Sequence, residues 1–268
     1  MTSGPQSIHS RDNALLKELR RLAQDSTAYR KQGRVWLEGD HLCRAALQRG
    51  QHPALAVFQA SWYDQVGHQW DDAGGKVVVI EDGLFATLSA LESPGRMGFV
   101  LPLPQASTLD AQAPTVVLDG LQDAGNVGTI LRSAAAFGFR QVLAMKGTAA
   151  LWSPKVLRAG MGAHFGLKLI EGLEPAALDA LRIPLLATSS HQGDYLHQAT
   201  LPWPCGWVLG HEGQGVSTAL AARAAQFLRI VQPGGEESLN VGAAAAICLH
   251  ASAAGQAGNM DAGFAASS

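Results

Sequence analysis

The chain has 268 residues, 47% of them hydrophobic and 16% charged, with a formal net charge of −2. That length admits two ordinary α/β domains, and the composition excludes a disordered or fibrous chain. The near-neutral balance gives no whole-molecule sign of a nucleic-acid partner. Residues 1–50 are nevertheless basic, with nine Lys or Arg against five acids, which leaves −6 for the remainder. Three cysteines, Cys43, Cys205 and Cys248, are odd in number and far apart. They suit neither a disulfide framework nor a C-x-x-C metal site, so buried thiols in a reducing compartment are expected, and no metal. No signal-peptide pattern opens the sequence. The longest apolar run, 241–249, is far short of the roughly 20 residues that span a bilayer, so a cytoplasmic protein without a membrane partner is expected.

In chain order, residues 1–10 read as a flexible leader. A helix is predicted over 12–24, where Leu15, Leu16, Leu19 and Leu22 recur at helical spacing. A strand at 35–38 leads to a helix over 40–48 that stops before Gly50. Strands at 54–58, 76–80 and 98–101 and a helix at 84–91 complete a first α/β block, 11–103. Residues 104–114, small and polar and closed by Pro114, read as a linker. The second block, 115–253, alternates strands at 116–119, 141–144, 167–170, 185–188, 207–210 and 227–231 with helices at 127–137, 154–162, 174–182, 216–224 and 239–252. Ser153-Pro154 supplies a helix cap and a proline at the first helical position. Continuous apolar strands between helices predict a parallel sheet covered on both faces. Residues 254–268, rich in Gly, Ala and Ser, read as a flexible tail.

Parallel sheets hold ligands at the carboxyl ends of their strands, and three loops of the second block lie there. The first, after strand 116–119, runs through Asn126-Val-Gly128-Thr-Ile-Leu-Arg132. Asn126 is expected to cap the following helix, with Arg132 on its solvent or cleft face; a capped loop with a surface arginine reads equally well from these residues alone. The second, Gly210-His-Glu212-Gly213-Gln-Gly215, lets backbone pass close to a ligand. The third ends in Ser238-Leu239-Asn240-Val241, where Ser238 is the natural helix cap and Asn240 a poor helix former. Neither a G-x-x-x-x-G-K-[ST] loop nor a G-x-G-x-x-G turn after a strand is present, which argues against a dinucleotide oxidoreductase.

In this order the three loops resemble the motifs of the SpoU (TrmH-like) RNA 2′-O-ribose methyltransferases, of the SPOUT superfamily. Ser153-Pro-Lys-Val-Leu-Arg158 resembles that family's middle segment. The first block, notably Val35-Trp-Leu-Glu38-Gly39, resembles the small ribosomal-protein-like RNA-binding domain often found in front. Departures are Ala124-Gly125 where a proline is usual, Gln232 and Glu236 where a methionine and a small or apolar residue are usual, and Gly242 in place of a serine. The resemblance implies a carboxyl-terminal trefoil knot, a bent S-adenosylmethionine held by the backbone of Gly210, Ile230 and Leu239 with Gly213 nearby, and a homodimer. It makes Arg132, Asn126, Glu212, Ser238 and Asn240 the catalytic set. Methyl transfer needs donor carbon, leaving sulfur and attacking oxygen in line, so positioning dominates. The family proposal makes the arginine a base. A guanidinium keeps its proton in proteins, so Arg132 as a phosphate clamp is the other reading. The front block's resemblance to ribosomal RNA binders, with its basic first fifty residues, favours ribosomal RNA, with transfer RNA second and an inactive RNA-binding protein of the same fold third.

Overall fold

A computed structural model describes residues 4–90, 94–105, 108–189, 191–234 and 238–265, with side chains as far as residue 256. The chain divides into two compact units, Met1–Gln105 with Trp152–Phe165, and Ala106–Leu151 with Gly166–Ser268. The excursion 152–165 thus belongs with the first unit although it interrupts the second in sequence, an arrangement no reading in chain order reveals. Residues 106 and 107, within the expected linker, lie outside the described residues.

The first unit contains β1 (Gln6–Ile8), α1 (Ala14–Gln24), α2 (Ala28–Gln32), β2 (Arg34–Glu38), α3 (Asp40–Gln48), β3 (Leu55–Gln59), α4 (Ala60–Val66), β4 (Lys76–Ile80), α5 (Asp82–Phe85) and β5 (Met97–Pro102). Its sheet runs β1-β4-β3-β5-β2. β1, β4 and β3 are parallel, while β5 is antiparallel to both β3 and β2. The expected leader is therefore partly sheet. Ser7 pairs with Val79 and Ile8 is 1% exposed, a strand too short to show a two-residue period. α1 forms because Asn13 caps it and its leucine stripe buries Leu16, Leu19 and Leu22. Fully burying each such side chain contributes about 1.5–3 kcal/mol. The helix expected at 84–91 is only the single turn of α5, and residue 91 is outside the described residues.

The second unit carries β6 (Thr115–Asp119), α6 (Ala124–Ala136) and β7 (Gln141–Met145). After the excursion, which holds α7 (Pro154–Gly160), come β8 (Lys168–Leu173), β9 (Leu185–Thr188), β10 (Asp194–Tyr195), β11 (Gly206–Gly210), α8 (Thr218–Ala221), β12 (Gln226–Arg229) and α9 (Val241–Ala265). Its seven-stranded sheet, β10-β12-β9-β11-β6-β7-β8, is parallel throughout. β11 is buried along its whole length, and Val117, Leu143, Ala187 and Val208 join Leu178, Ile183 and Leu220 in one core. The helix expected at 174–182 is a 3-10 segment, Pro175–Ala180, and that at 216–224 shrinks to α8. Short loops around both leave too few residues for a stable α-helix. The expected tail at 254–268 is helical backbone as far as Ala265, since alanine's helix propensity outweighs the interspersed Gly and Ser.

Strand register and helix packing bring the three loops to one edge. Gly210 pairs with Asp119, so the carboxyl ends of β11 and β6 are level. α6 packs against α9, which draws the first and third loops together there. All three cysteines are free and buried; burial pushes the Cys205 thiol up to about 11 and that of Cys248 to about 12.

Candidate active site

Each loop is shaped by a local constraint. α6 begins on Asp123, whose carboxylate accepts from the Asn126 amide at 2.7 Å. Asn126 is thus in the first turn and not the cap expected of it: a cap earlier in the loop frees the Asn126 side chain. The loop is tied to the second one where Asp119 Oδ2 accepts from the Ser217 amide at 2.6 Å.

In the second loop, a Cβ added to Gly210 would lie 2.1 Å from the Gly215 carbonyl carbon and 2.2 Å from the Val216 nitrogen. Only glycine permits that approach. His211 and Gly215 exchange backbone hydrogen bonds of 3.0 and 2.8 Å, with Gly215 at φ +69°. The result is a tight turn with Glu212 next to its first residue. The Gly213 amide donates to His211 Nδ1 at 3.0 Å, so it is already engaged within the turn.

α9 begins at Val241, and its cap is Asn240. Asn240 Oδ1 accepts from the amides of Gly242 at 2.9 Å and Ala243 at 3.2 Å. Ser238, expected to be the cap, is an exposed residue two positions earlier, because the helix starts later than the apolar pattern suggests. With its oxygen committed to the helix, the Asn240 amide can only donate outward. Its Nδ2 donates to Asn126 Oδ1 at 2.9 Å, and Asn126 Nδ2 in turn donates to Glu212 Oε1 at 3.2 Å. The order of donors and acceptors is therefore dictated by the α9 amides at one end and a carboxylate at the other. Glu212 also accepts from the Asp123 amide at 3.4 Å. Partial burial alone would raise its carboxyl, but its own amide, Asn126 and the Asp123 and Gln122 amides outweigh this and hold it below the usual glutamate range. It is an ionised anchor.

The structure thus brings together Asn126, Glu212 and Asn240, one from each loop. Arg132 and Ser238 are not in this hydrogen-bonded set. Arg132 is exposed on α6 and has no hydrogen-bond or ion-pair partner among the described residues. Gly242, on the buried side of α9, faces Thr129 of α6, whose Cγ2 would be 3.3 Å from a Cβ there; that closeness suits the glycine found in place of a serine. Glu236 is outside the described residues. Asp119, Asp123 and Thr129 were not singled out from the sequence; an acid ending a strand and an acid three residues ahead of Asn126 were the available signals.

The SpoU rRNA Methylase family model matches residues 113–250. The 23S rRNA (guanosine(2553)-2′-O)-methyltransferase RlmP of Bacillus subtilis is 27% identical over 247 residues, covering 91% of this chain and 97% of its own. A crystal structure of an RNA 2′-O ribose methyltransferase superposes with a TM-score of 0.78 at 28% identity, covering 94% of this chain and 99% of the other. An AdoMet-bound rRNA methyltransferase from Sinorhizobium meliloti has the same fold, with a TM-score of 0.78 at 24% identity over 92% of this chain and 97% of that one. Three loops in the order read from the sequence, joined by hydrogen bonds at the carboxyl edge of a parallel sheet, agree with that match: the chain belongs to the SpoU rRNA methylase family.

Proposed function

We propose that this chain transfers a methyl group from S-adenosylmethionine to a ribose 2′-hydroxyl of ribosomal RNA, with transfer RNA as the second reading. The observation that carries it is the Glu212–Asn126–Asn240 chain of hydrogen bonds, which links the three loops that the family match spans. Ribosomal RNA is favoured because the Bacillus subtilis relative that acts on 23S rRNA aligns with nearly the whole chain.

The residues present suit the cofactor. Among the described residues, neither Ile230 nor Leu239 has its backbone amide or carbonyl hydrogen-bonded, and Gln232 Oε1 is buried without a partner. An unpartnered buried acceptor costs about 1–3 kcal/mol, which ligand N–H groups would recover. Ile230, Leu239 and the Gly210 turn would hold the cofactor, which supplies an electrophilic methyl on a sulfonium. The chain's own part is then geometric. Asn126, locked from both sides, orients the first turn of α6. Arg132, exposed on that helix, clamps the phosphate beside the target ribose through its planar pair of donors, and Ser238 and Asn240 border the same edge. The bound cofactor would give up its methyl and leave as the neutral thioether S-adenosylhomocysteine, while the ribose hydroxyl proton would pass to solvent water.

The same reading includes a trefoil knot in the second unit, a cytoplasmic location and a homodimer. Supporting the dimer, Val231 and Ile247 are half exposed in an apolar groove of about 620 Å³ between Phe137, Leu196 and His250, the kind of surface that marks an interaction site. No helix among the described residues is long and apolar enough to cross a membrane.

The test is tritium transfer from labelled S-adenosylmethionine to deproteinised ribosomal RNA from cells lacking the gene, with the modified position mapped as a 2′-O-methyl. Arg132→Ala should bind the cofactor normally and slow transfer about a hundredfold, the scale set by loss of positioning. Normal transfer by this variant would remove Arg132 from the mechanism. Labelling of transfer RNA alone would replace the substrate, and failure to bind the cofactor in calorimetry would return the inactive RNA-binding reading.

A further inference from the structure

The excursion 152–165 is a stretch of the family-matched region that packs within the first unit, and the three-loop site makes no use of it. It is firmly seated. Val156 and Leu157 are fully buried, and α7 packs on β2 and α1. The Trp152 ring packs in tilted contact with His164 at 5.2 Å and Phe165 at 6.4 Å between centroids. A Cβ on Gly162 would come within 2.7 Å of the Ala45 side chain, and its φ is +86°. Ser153 Oγ caps α7 by accepting from the Val156 amide.

On this anchored base stands Met161. It ends α7 in the left-handed conformation, φ 48° and ψ 40°, its amide donating to the Arg158 carbonyl. Among the described residues it is the only one other than glycine with positive φ. Glycine or asparagine is the ordinary occupant of such a helix end, since any Cβ is crowded there. Packing does not account for the methionine either, because it is 48% exposed. A residue that is unfavourable for the backbone and also leaves its apolar side chain in water is best explained by something that covers it. Its neighbours identify the chemistry. Lys155 and Arg158 are exposed at three-residue spacing along the same face of α7 and lead to Met161. Two cations in line with a flexible apolar side chain suit a polyanion that also offers flat apolar faces.

We propose that Met161 packs against an unpaired nucleobase of the RNA substrate while Lys155 and Arg158 meet the flanking phosphates, making this segment a substrate-positioning surface. Unstacked bases are what single-stranded RNA offers to protein side chains, and methionine is among the apolar side chains inserted beside bases. The proposal rests on the RNA methyltransferase reading above.

The test compares two substitutions that separate backbone from side chain. Met161→Gly relaxes the turn and deletes the contact; Met161→Leu keeps the crowding and the apolar bulk. With deproteinised ribosomal RNA as substrate, Met161→Gly should melt at or above the wild-type temperature and bind S-adenosylmethionine unchanged. Its KM for RNA should rise about fivefold with little change in kcat, within the range expected for loss of one base contact. Met161→Leu should restore the wild-type KM. Lys155→Ala should lower the salt dependence of RNA affinity by about one phosphate contact. Unchanged KM in Met161→Gly overturns the proposal while leaving the methyltransferase reading intact. A change of oligomeric mass in that variant also overturns it, because the side chain would then serve a subunit contact. A wild-type protein that transfers no methyl group to any RNA overturns both.

Discussion

Two helices of this chain, one in each unit, begin on an asparagine, and the two caps are nearly superimposable in their distances. Asn13 Oδ1 accepts from Leu15 and Leu16 at 2.9 and 3.2 Å; Asn240 Oδ1 accepts from Gly242 and Ala243 at 2.9 and 3.2 Å. Even the first main-chain bonds correspond, Lys17 to Asn13 at 3.1 Å and Ala244 to Asn240 at 2.9 Å. The difference lies in the other half of the amide. Among the described residues the Asn13 nitrogen meets nothing, whereas the Asn240 nitrogen holds Asn126 and through it Glu212. A cap is thus a complete explanation for the first asparagine and only half of one for the second. The helix end that it closes also fixes which way it can donate.

The largest effect is expected from a variant that keeps both caps and removes only the donor. Aspartate caps as well as asparagine, so Asn240→Asp should fold with near wild-type stability. It would set a carboxylate against Asn126 Oδ1 and slow methyl transfer about tenfold or more, the effect of leaving a polar partner unsatisfied. Thermal melts and initial rates on the same preparation decide it; normal rates would reduce Asn240 to a second Asn13.

A smaller effect is expected at the carboxylate end, the element that the α1 cap lacks. The hydrogen bonds that lower the Glu212 carboxyl favour its ionised form, so their contribution is present above the ordinary glutamate value, about 4.3. It is lost as pH falls through the lowered value. Calorimetric affinity for S-adenosylmethionine should therefore show no Glu212 step between pH 5 and 8 and an acid loss below that window. Glu212→Gln should bind a few-fold more weakly at pH 7, consistent with exchanging a charged hydrogen bond for a neutral one, and lack that acid loss. A Glu212-dependent transition near neutral pH would contradict the anchor role.

The smallest effects belong to α1. Asn13→Ala should cost about 1 kcal/mol of stability and Asn13→Asp almost nothing, with methyl transfer per folded molecule unchanged in both. A loss of activity in either variant would show that the two caps are not separable in the way their contacts indicate.

Much of this was legible in the sequence because it is local. The leucine stripe of α1, the glycine stop after α3 and the apolar runs of β6, β9 and β11 report their burial through short-range periodicity. The order of the three loops was equally readable, and so was the glycine requirement at 210, although its cause, contact with Gly215 and Val216, was not. What escaped were features whose reason lies elsewhere in the chain. β1 exists because β4 offers it an edge. α6 starts on Asp123 and α9 on Asn240, and a pattern that sees only apolar spacing put both caps on the wrong residue.

The family, the parallel α/β framework and the residues at the carboxyl ends of its strands follow from the linear chain, since motif order and hydrophobic period are properties of it. Tertiary packing set the rest: Asn126, Glu212 and Asn240 form one directed chain of hydrogen bonds, Arg132 has no partner among the described residues, and residues 152–165 belong with the first unit. Residues 86 and 114 positions apart become hydrogen-bond neighbours through the level ends of β6 and β11 and the packing of α6 on α9. Those distances follow from strand register and helix packing, which no local pattern encodes.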